Sequence, residues 1–316
     1  MIDNAVRPAN AQTVEALLRA ELARGDLLAE SVQPVLRHLL SAQDGALFSD
    51  EILARVRGML GDLARGLLET HVGNAASPLG RDEHDAVVRA FMDQRTLITH
   101  VHALALEWHL TDRLQTRMAL DPVVSPLVQS LVSSENEAMQ TMAMTWLAAQ
   151  ARWCQVQRRM GLPFTELPGE LLHAALQALR IALSGISGAG ERIVAAEAAV
   201  RLRYEEGSSR LGLAGRLLLA LGNGAGTALV IQYGGLALFL SALSLRSGLD
   251  RDTLVLSTHE AQSARLALAL RAAGLAAEEV NHQMLVFHPA HVLPEAFEQV
   301  SGELAAAVLA TGQRGG

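Results

Sequence analysis

The stretch LLLALGNGAGTALVIQYGGLALFLSALSL (217–245) decides the fold. No formally charged residue interrupts it between Arg216 and Arg246. It is either a membrane segment or the core of a helical domain. Gly222, Gly224 and Gly226 break it once, and Gly234-Gly235 breaks it again. The apolar pieces between these breaks are shorter than the roughly 20 residues that span a bilayer. Only residues 227–245 approach that length, with Gln232 and the glycine pair inside. The core reading is therefore preferred, although membrane helices do tolerate glycine.

The composition around this stretch points the same way. Of 316 residues, 50% are hydrophobic but only 3% aromatic. Leucine and alanine fill the difference, and both are strong helix formers. β-Branched runs are almost absent, so an all-α protein is expected. The length suits one large domain or two ordinary ones. All 26 basic residues are arginine. Without lysine, this chain has no Schiff-base, P-loop or kinase-type lysine chemistry. The net charge is −7, and the arginines are scattered apart from Arg158-Arg159 and Arg201/Arg203. A nucleic-acid surface needs clustered positive charge, so no nucleic-acid partner is expected.

Cys154 is the only cysteine, which excludes an intramolecular disulfide and a cysteine-based metal site. It lies between Trp153 and Gln155 in a helical pattern, and a buried, inert thiol is expected. The opening residues MIDNAVRPANAQ lack the blocks of a signal peptide. A cytoplasmic, reducing location is the simplest expectation.

Apolar periodicity predicts helices over about 11–24, 31–41 and 50–71, with GNAASPLG (73–80) as a turn cluster. Close contact with another helix would offset the cost of Gly58, Gly61 and Gly66 in the third of these helices. One long helix is predicted over 82–110, its stripe formed by Val87, Phe91, Ile98, Val101, Ala105 and Trp108 with only Gln94 polar. Asp121-Pro122 reads as a helix start. Ser134-x-x-Glu137 reads as a capping box opening a helix over 135–160. There Met139, Met142, Trp146, Ala149, Trp153, Val156 and Met160 form a seam expected to pair with the 82–110 helix. The Pro- and Gly-rich GLPFTELPG (161–169) is the expected boundary. It divides the chain into an N-terminal helical bundle (1–160) and a C-terminal helical-repeat domain (161–316).

Helices follow at about 169–183, 191–205 and 209–221. Gly222, Gly248 and Gly274 are spaced 26 apart, each after a Leu/Ala-rich helix, and the last two continue as Gly-Leu. That is the signature of a C′ glycine with an apolar residue behind it. Residues 223–248 and 249–274 each read as a short helix and a longer one, with Ser257-x-x-Glu260 as a capping box. The pattern suggests stacked helical hairpins of the α-solenoid kind. Residues 284–288 are expected to form a brief extended piece before a last helix to about 310.

The candidate chemistry is thin. His100, His102 and His109 cluster, with His84 upstream, but none pairs at the i, i+3 or i+4 spacing of a helical metal site. The lone Glu170-x-x-His173 sits at a helix start, where the macrodipole explains the carboxylate. GNGAG (222–226) follows a helix rather than a strand, so the dinucleotide fingerprint fails. No nucleophile elbow stands out. His288 and His291 read as loop punctuation. No catalytic, cofactor-binding or metal residue is therefore assigned, and no cofactor is expected.

QARWCQVQRRMGLPFTELPGELLHAALQALR (150–180), LFLSALSLRSGLDRD and ARLALALRAAGL resemble a family of uncharacterised, all-helical, HEAT-like proteins of alphaproteobacteria. The likeness covers about residues 135–280. It implies a bacterial, cytoplasmic helical-repeat protein and no known catalytic residue. The leading functional expectation is a non-enzymatic scaffold or regulatory adaptor that binds a protein partner or itself. The alternatives are a small-molecule sensor with a Met/Trp-lined apolar pocket, and an enzyme or metalloprotein using His100, His102 and His109.

Overall fold

A computed structural model of the chain describes residues 14–27, 49–72, 81–185, 189–290 and 293–312. Among these residues there is no strand, and the all-α class holds. The predicted 31–41 helix and the 73–80 turn lie outside the described residues.

The chain forms two compact units: residues 33–224, and residues 225–316 together with 1–32. The 161–169 segment, read from sequence as a boundary between 1–160 and 161–316, lies inside the first unit. It is held there by long-range bonds. Leu162 N–H donates to Asp62 Oδ2 at 2.9 Å, and the Tyr204 hydroxyl donates to the Leu167 carbonyl at 2.8 Å.

The 33–224 unit contains α2 (Asp50–Val72), α3 (Arg81–Met92), α4 (Arg95–Met118), α5 (Pro126–Val132), α6 (Glu137–Arg158), α7 (Gly169–Leu183), α8 (Ala189–Arg203) and α9 (Arg210–Leu221). The long helix expected over 82–110 is two helices. Its stripe residues are all buried, but the chain breaks at Asp93-Gln94, and Gln94 takes extended backbone as the N-cap of α4. The one polar residue in the stripe marked the interruption. Asp121 does not open a helix. Its Oδ1 accepts the Val123 and Val124 N–H groups at 2.8 Å, a local turn, and α5 starts instead at Ser125-Pro126. The cap of α6 is Asn136, whose Oδ1 accepts the Met139 N–H, while the Ser134 hydroxyl accepts the Asn136 N–H. The expected Ser134/Glu137 box is thus displaced by a better-placed asparagine.

Trp146, Ala149 and Trp153 of the α6 seam are buried, and Met139, Met142, Val156 and Met160 are half-buried. The helix packs chiefly on α9 and α5, not on α3 or α4 as expected. One part of the expectation survives: Trp108 of α4 and Trp153 pack edge to face with ring centroids 5.9 Å apart. At Gly58 of α2, a Cβ would lie 2.7 Å from Met160 Cβ, so this helix glycine does mark a close approach.

The other unit contains a helix over 14–27 (α1), α10 (Ile231–Ser247), α11 (Arg251–Ser257), α12 (Ser263–Ala272), α13 (Ala277–Phe287) and α14 (Gly302–Gly312). The 217–245 stretch is not one helix. It runs through the end of α9, a 3-10 segment (Gly222–Leu229) and α10. Within α10, Gly235 has φ 73° and ψ 159°, and a Cβ on Gly234 would lie 2.6 Å from the Ala228 carbonyl oxygen. Only glycine serves at either position. Beyond this kink, Leu236 through Leu243 are buried on every side, as befits a core helix. Among the described residues no helix is long and apolar enough to cross a membrane.

The packing gathers on α12, which touches α10, α11, α13 and α14. Its residues Leu266 through Leu270 are fully buried. The 26-residue spacing survives in the helix ends. Gly248 and Gly274 both have positive φ, 73° and 102°, and Leu249 and Leu275 behind them are buried. Gly222 differs, with φ 54° and ψ −121°. An arginine precedes each glycine, by two residues at Arg246 and by three at Arg271, and Arg271 also donates Nη1 to the Leu275 carbonyl at 2.6 Å. Arg246 Nε donates to the Ala273 carbonyl at 2.8 Å, and Arg271 Nε donates to the Val300 carbonyl at 2.6 Å. Each ties its helix end to a chain turn further on. The expected Ser257 cap does not form: Ser257 ends α11, and Asp250 caps that helix by accepting from Asp252 and Thr253 N–H. Residues 284–288 are not extended, because α13 continues to Phe287.

The first helix belongs to this unit. Val14, Leu18, Leu22 and Gly25 form its buried stripe. Asp26 pairs with Arg265, and the Gln262 side chain donates to the Gly25 carbonyl at 3.1 Å.

Candidate functional site

The histidines singled out by sequence do not converge. His100 and His102 are buried in α4. Burial pushes the His102 imidazole down to about 4, so the ring is neutral near pH 7. His109 is partly exposed, with Nδ1 3.6 Å from Glu51 Oε2. His84 lies 3.0 Å from the Gly61 carbonyl through Nε2, which must carry the proton because a carbonyl only accepts. Among the described residues no three His, Cys, Asp or Glu side chains are placed to hold a metal ion. Glu170 and His173 are both exposed. His291 lies outside the described residues.

Cys154 is buried, and burial, the largest influence, pushes its thiol up to about 11. It stays protonated near neutrality and makes a poor nucleophile. Beside it lies a polar cluster that the sequence reading missed. Glu107 and Arg210 are each 1% exposed and form a two-pronged pair at 2.7 and 3.0 Å. The Arg210 guanidinium stacks on Trp153 at 4.0 Å, and Gln150 donates to the Pro122 carbonyl at 2.8 Å. Arg210 backbone N–H donates to Glu166 at 2.9 Å. The one visible signal was Glu107 itself, a lone carboxylate inside the otherwise uncharged HALALEWHL (102–110). A sealed pair has no face for substrate, so this cluster orders the fold.

A concave site lies in the other unit, where a pocket of ≈ 300 Å³ opens between the 3-10 segment, the end of α10, the end of α12 and the start of α13. Its polar lining is Arg246, Glu279, His282 and Gln283. Each of three side chains is tethered by one polar atom and free at another. Arg246 is held by Nε on the Ala273 carbonyl, and its two terminal amines make no hydrogen bond or ion pair among the described residues. Gln283 is 2% exposed and its Oε1 accepts the Ile231 N–H at 3.0 Å. That bond fixes the amide orientation, because a backbone donor needs the oxygen. The Nε2 then donates to none of the described residues. Glu279 Oε2 accepts the Ala276 N–H at 2.7 Å, which leaves Oε1.

Gly274 helps to keep the guanidinium clear. At Gly274 a Cβ would lie a tight 3.3 Å from Arg246 Nη2, whereas at Gly226 it would make only ordinary contact, 4.0 Å from Nη1. Leu229, Val230 and Leu275 supply apolar wall. The arrangement is a small cleft with fixed donors, one carboxylate and an apolar side, the usual character of a small-ligand site. It holds no tryptophan or methionine in its lining, unlike the pocket expected from sequence.

Comparison with protein-family models, curated proteins and solved structures finds no match to this chain.

Proposed function

We propose that the protein is a non-enzymatic helical binding protein of the regulatory kind, whose C-terminal unit takes up a small carboxylate-bearing molecule. The observation that carries this is the Arg246 fork: a guanidinium whose Nε is fixed and whose two terminal amines pair with none of the described residues, beside Gln283, whose Nε2 donates to none of them either. Planar forks of this kind match carboxylates with two parallel hydrogen bonds. The proposal places the protein in a bacterial cytoplasm, on the family resemblance and the single buried thiol. The matched helix ends at Gly248-Leu249 and Gly274-Leu275, 26 residues apart, support reading residues 223–274 as two copies of a HEAT-like hairpin.

Titration with isovalerate, a carboxylate with a branched apolar group, tests the reading. Binding by the wild-type chain should raise the thermal midpoint as ligand concentration rises. Arg246→Gln should remove that rise. A flat midpoint for the wild type across the titration overturns the carboxylate reading.

A second reading rests on a separate observation. Leu202 and Val194 on α8 are 88% and 65% exposed, and Ala195 and Ala198 share their face. This apolar stripe supports the adaptor role, with a protein partner or a second copy covering α8.

A further inference from the structure

We propose that the Arg246 pocket is built for a zwitterion, a free α-amino acid with a small branched apolar side chain. This rests on the carboxylate reading above and names the rest of the ligand. Charge balance makes the selection. Arg246 and Glu279 bring one positive and one negative charge to the same cleft. A phosphate dianion would meet the Glu279 carboxylate and be repelled. A simple carboxylate would use the arginine and leave Glu279 without a counterpart. An α-amino acid answers both, because one carbon, Cα, carries its ammonium and its carboxylate.

The donors are arranged to fit. Glu279, His282 and Gln283 stand at i, i+3 and i+4 on α13 and so share one helix face. Glu279 is anchored by its bond to the Ala276 N–H, and its second oxygen accepts no hydrogen bond among the described residues. It receives the ammonium. Gln283 is almost wholly buried, and its only free polar atom is Nε2. It joins the Arg246 amines on the carboxylate. Leu229 and Leu275 are buried and Val230 is partly open, which provides an apolar wall for a side chain of valine size in ≈ 300 Å³. Because Arg246, Glu279 and Gln283 are each held by one bond to the backbone, less ordering is left to oppose binding.

Calorimetric titration of the full chain with L-valine, isovalerate and isobutylamine tests this, since the last two lack the ammonium and the carboxylate respectively. Wild type should bind L-valine at least roughly tenfold more tightly than isovalerate, the margin expected of a charge-assisted hydrogen bond. Glu279→Gln should erase that margin and leave isovalerate binding no weaker. Glutamine at this position can still accept the Ala276 N–H, so the helix start survives. Arg246→Gln should abolish binding of both acids. Should that variant fail to fold, Arg246→Lys keeps the charge, loses the fork and should weaken both acids alike. Isovalerate binding as tightly as L-valine overturns the zwitterion and leaves the carboxylate reading standing. So does a Glu279→Gln variant that keeps the full margin. No heat from either acid up to about 10 mM overturns both.

Discussion

The two units solve the same packing problem with opposite materials. In the 33–224 unit the core is threaded by charge: Glu107 and Arg210 are buried together, and Arg55 donates to the Gln157 carbonyl beside Trp108. In the C-terminal unit the centre is dry, with α10 and α12 contributing runs of Leu, Ala and Phe239. There the buried hydroxyls of Ser241, Ser257 and Thr258 satisfy carbonyls of their own helices. Its buried Arg265 and Gln283 sit where α1 docks and where the pocket opens. A buried charge pair fixes which helices meet, because each partner is expensive without the other. An apolar centre fixes only that they meet, and shape must do the rest. In the C-terminal unit that shaping falls to glycine: the kink at Gly234-Gly235 and the two matched helix ends.

The largest expected effect would break this contrast directly. Glu107→Ala should lower stability by about 3–5 kcal/mol, because it strands the Arg210 charge in the core. Replacing both residues with methionine should restore most of that loss. Urea unfolding of the single and double variants measures it, and an additive double variant would show that the pair is not coupled. Hydrogen exchange in Glu107→Ala should quicken in α4 and α9 and leave the α12 amides slow.

The next effect concerns acid. Unfolded His102 titrates near 6.5 and the folded ring near 4. Between those values the unfolded chain binds a proton that the folded chain refuses. The stability held by the neutral buried ring is therefore complete above about pH 6.5 and falls away as pH drops towards 4. The full loss amounts to at most about 3 kcal/mol. Unfolding measured across this range should show a shallower pH slope in His102→Gln than in wild type. Equal slopes would mean that another group carries the acid sensitivity.

The smallest effect sharpens the account of the C-terminal unit. Asp26→Asn should cost about 1–3 kcal/mol by leaving Arg265 poorly matched. Exchange should then quicken in α1 before it does in α12. Unchanged protection of α1 would show that its apolar stripe, rather than the ion pair, holds it.

The legible and illegible parts of the chain divide along the same physical line. Local signals were readable: the α7 and α9 limits, the Gly-Leu helix ends, and the core nature of 217–245. The misread helix starts failed in a consistent way. Asp121 and Ser134 do bond nearby N–H groups, but in turns just ahead of the true caps Ser125 and Asn136. Short polar side chains serve both purposes equally well. The break at Gln94 leaves the spacing of the buried stripe intact, so the polar residue itself was its only mark in the sequence. Long-range pairings were beyond periodicity altogether. Glu107 and Arg210 are 103 residues apart, and the pocket gathers residues from four separate segments. Arg246 stood in plain sight as the end of the uncharged stretch, but nothing local showed that two of its amines would be left unpaired.

The docking of α1 onto α12 has a consequence for how the chain is made. Asp26 and Arg265 are 239 residues apart in sequence, with the whole 33–224 unit between them. A ribosome adding about 5–20 residues per second needs roughly 10–50 s to cover that interval. Throughout it, the Val14, Leu18 and Leu22 stripe has been synthesised but its partner has not. The intervening unit, by contrast, has all of its residues in hand before the C-terminal core is translated. Helix α1 therefore finds its place only after α12 has been made, and a chaperone that shields apolar helices would have that interval in which to hold the α1 stripe.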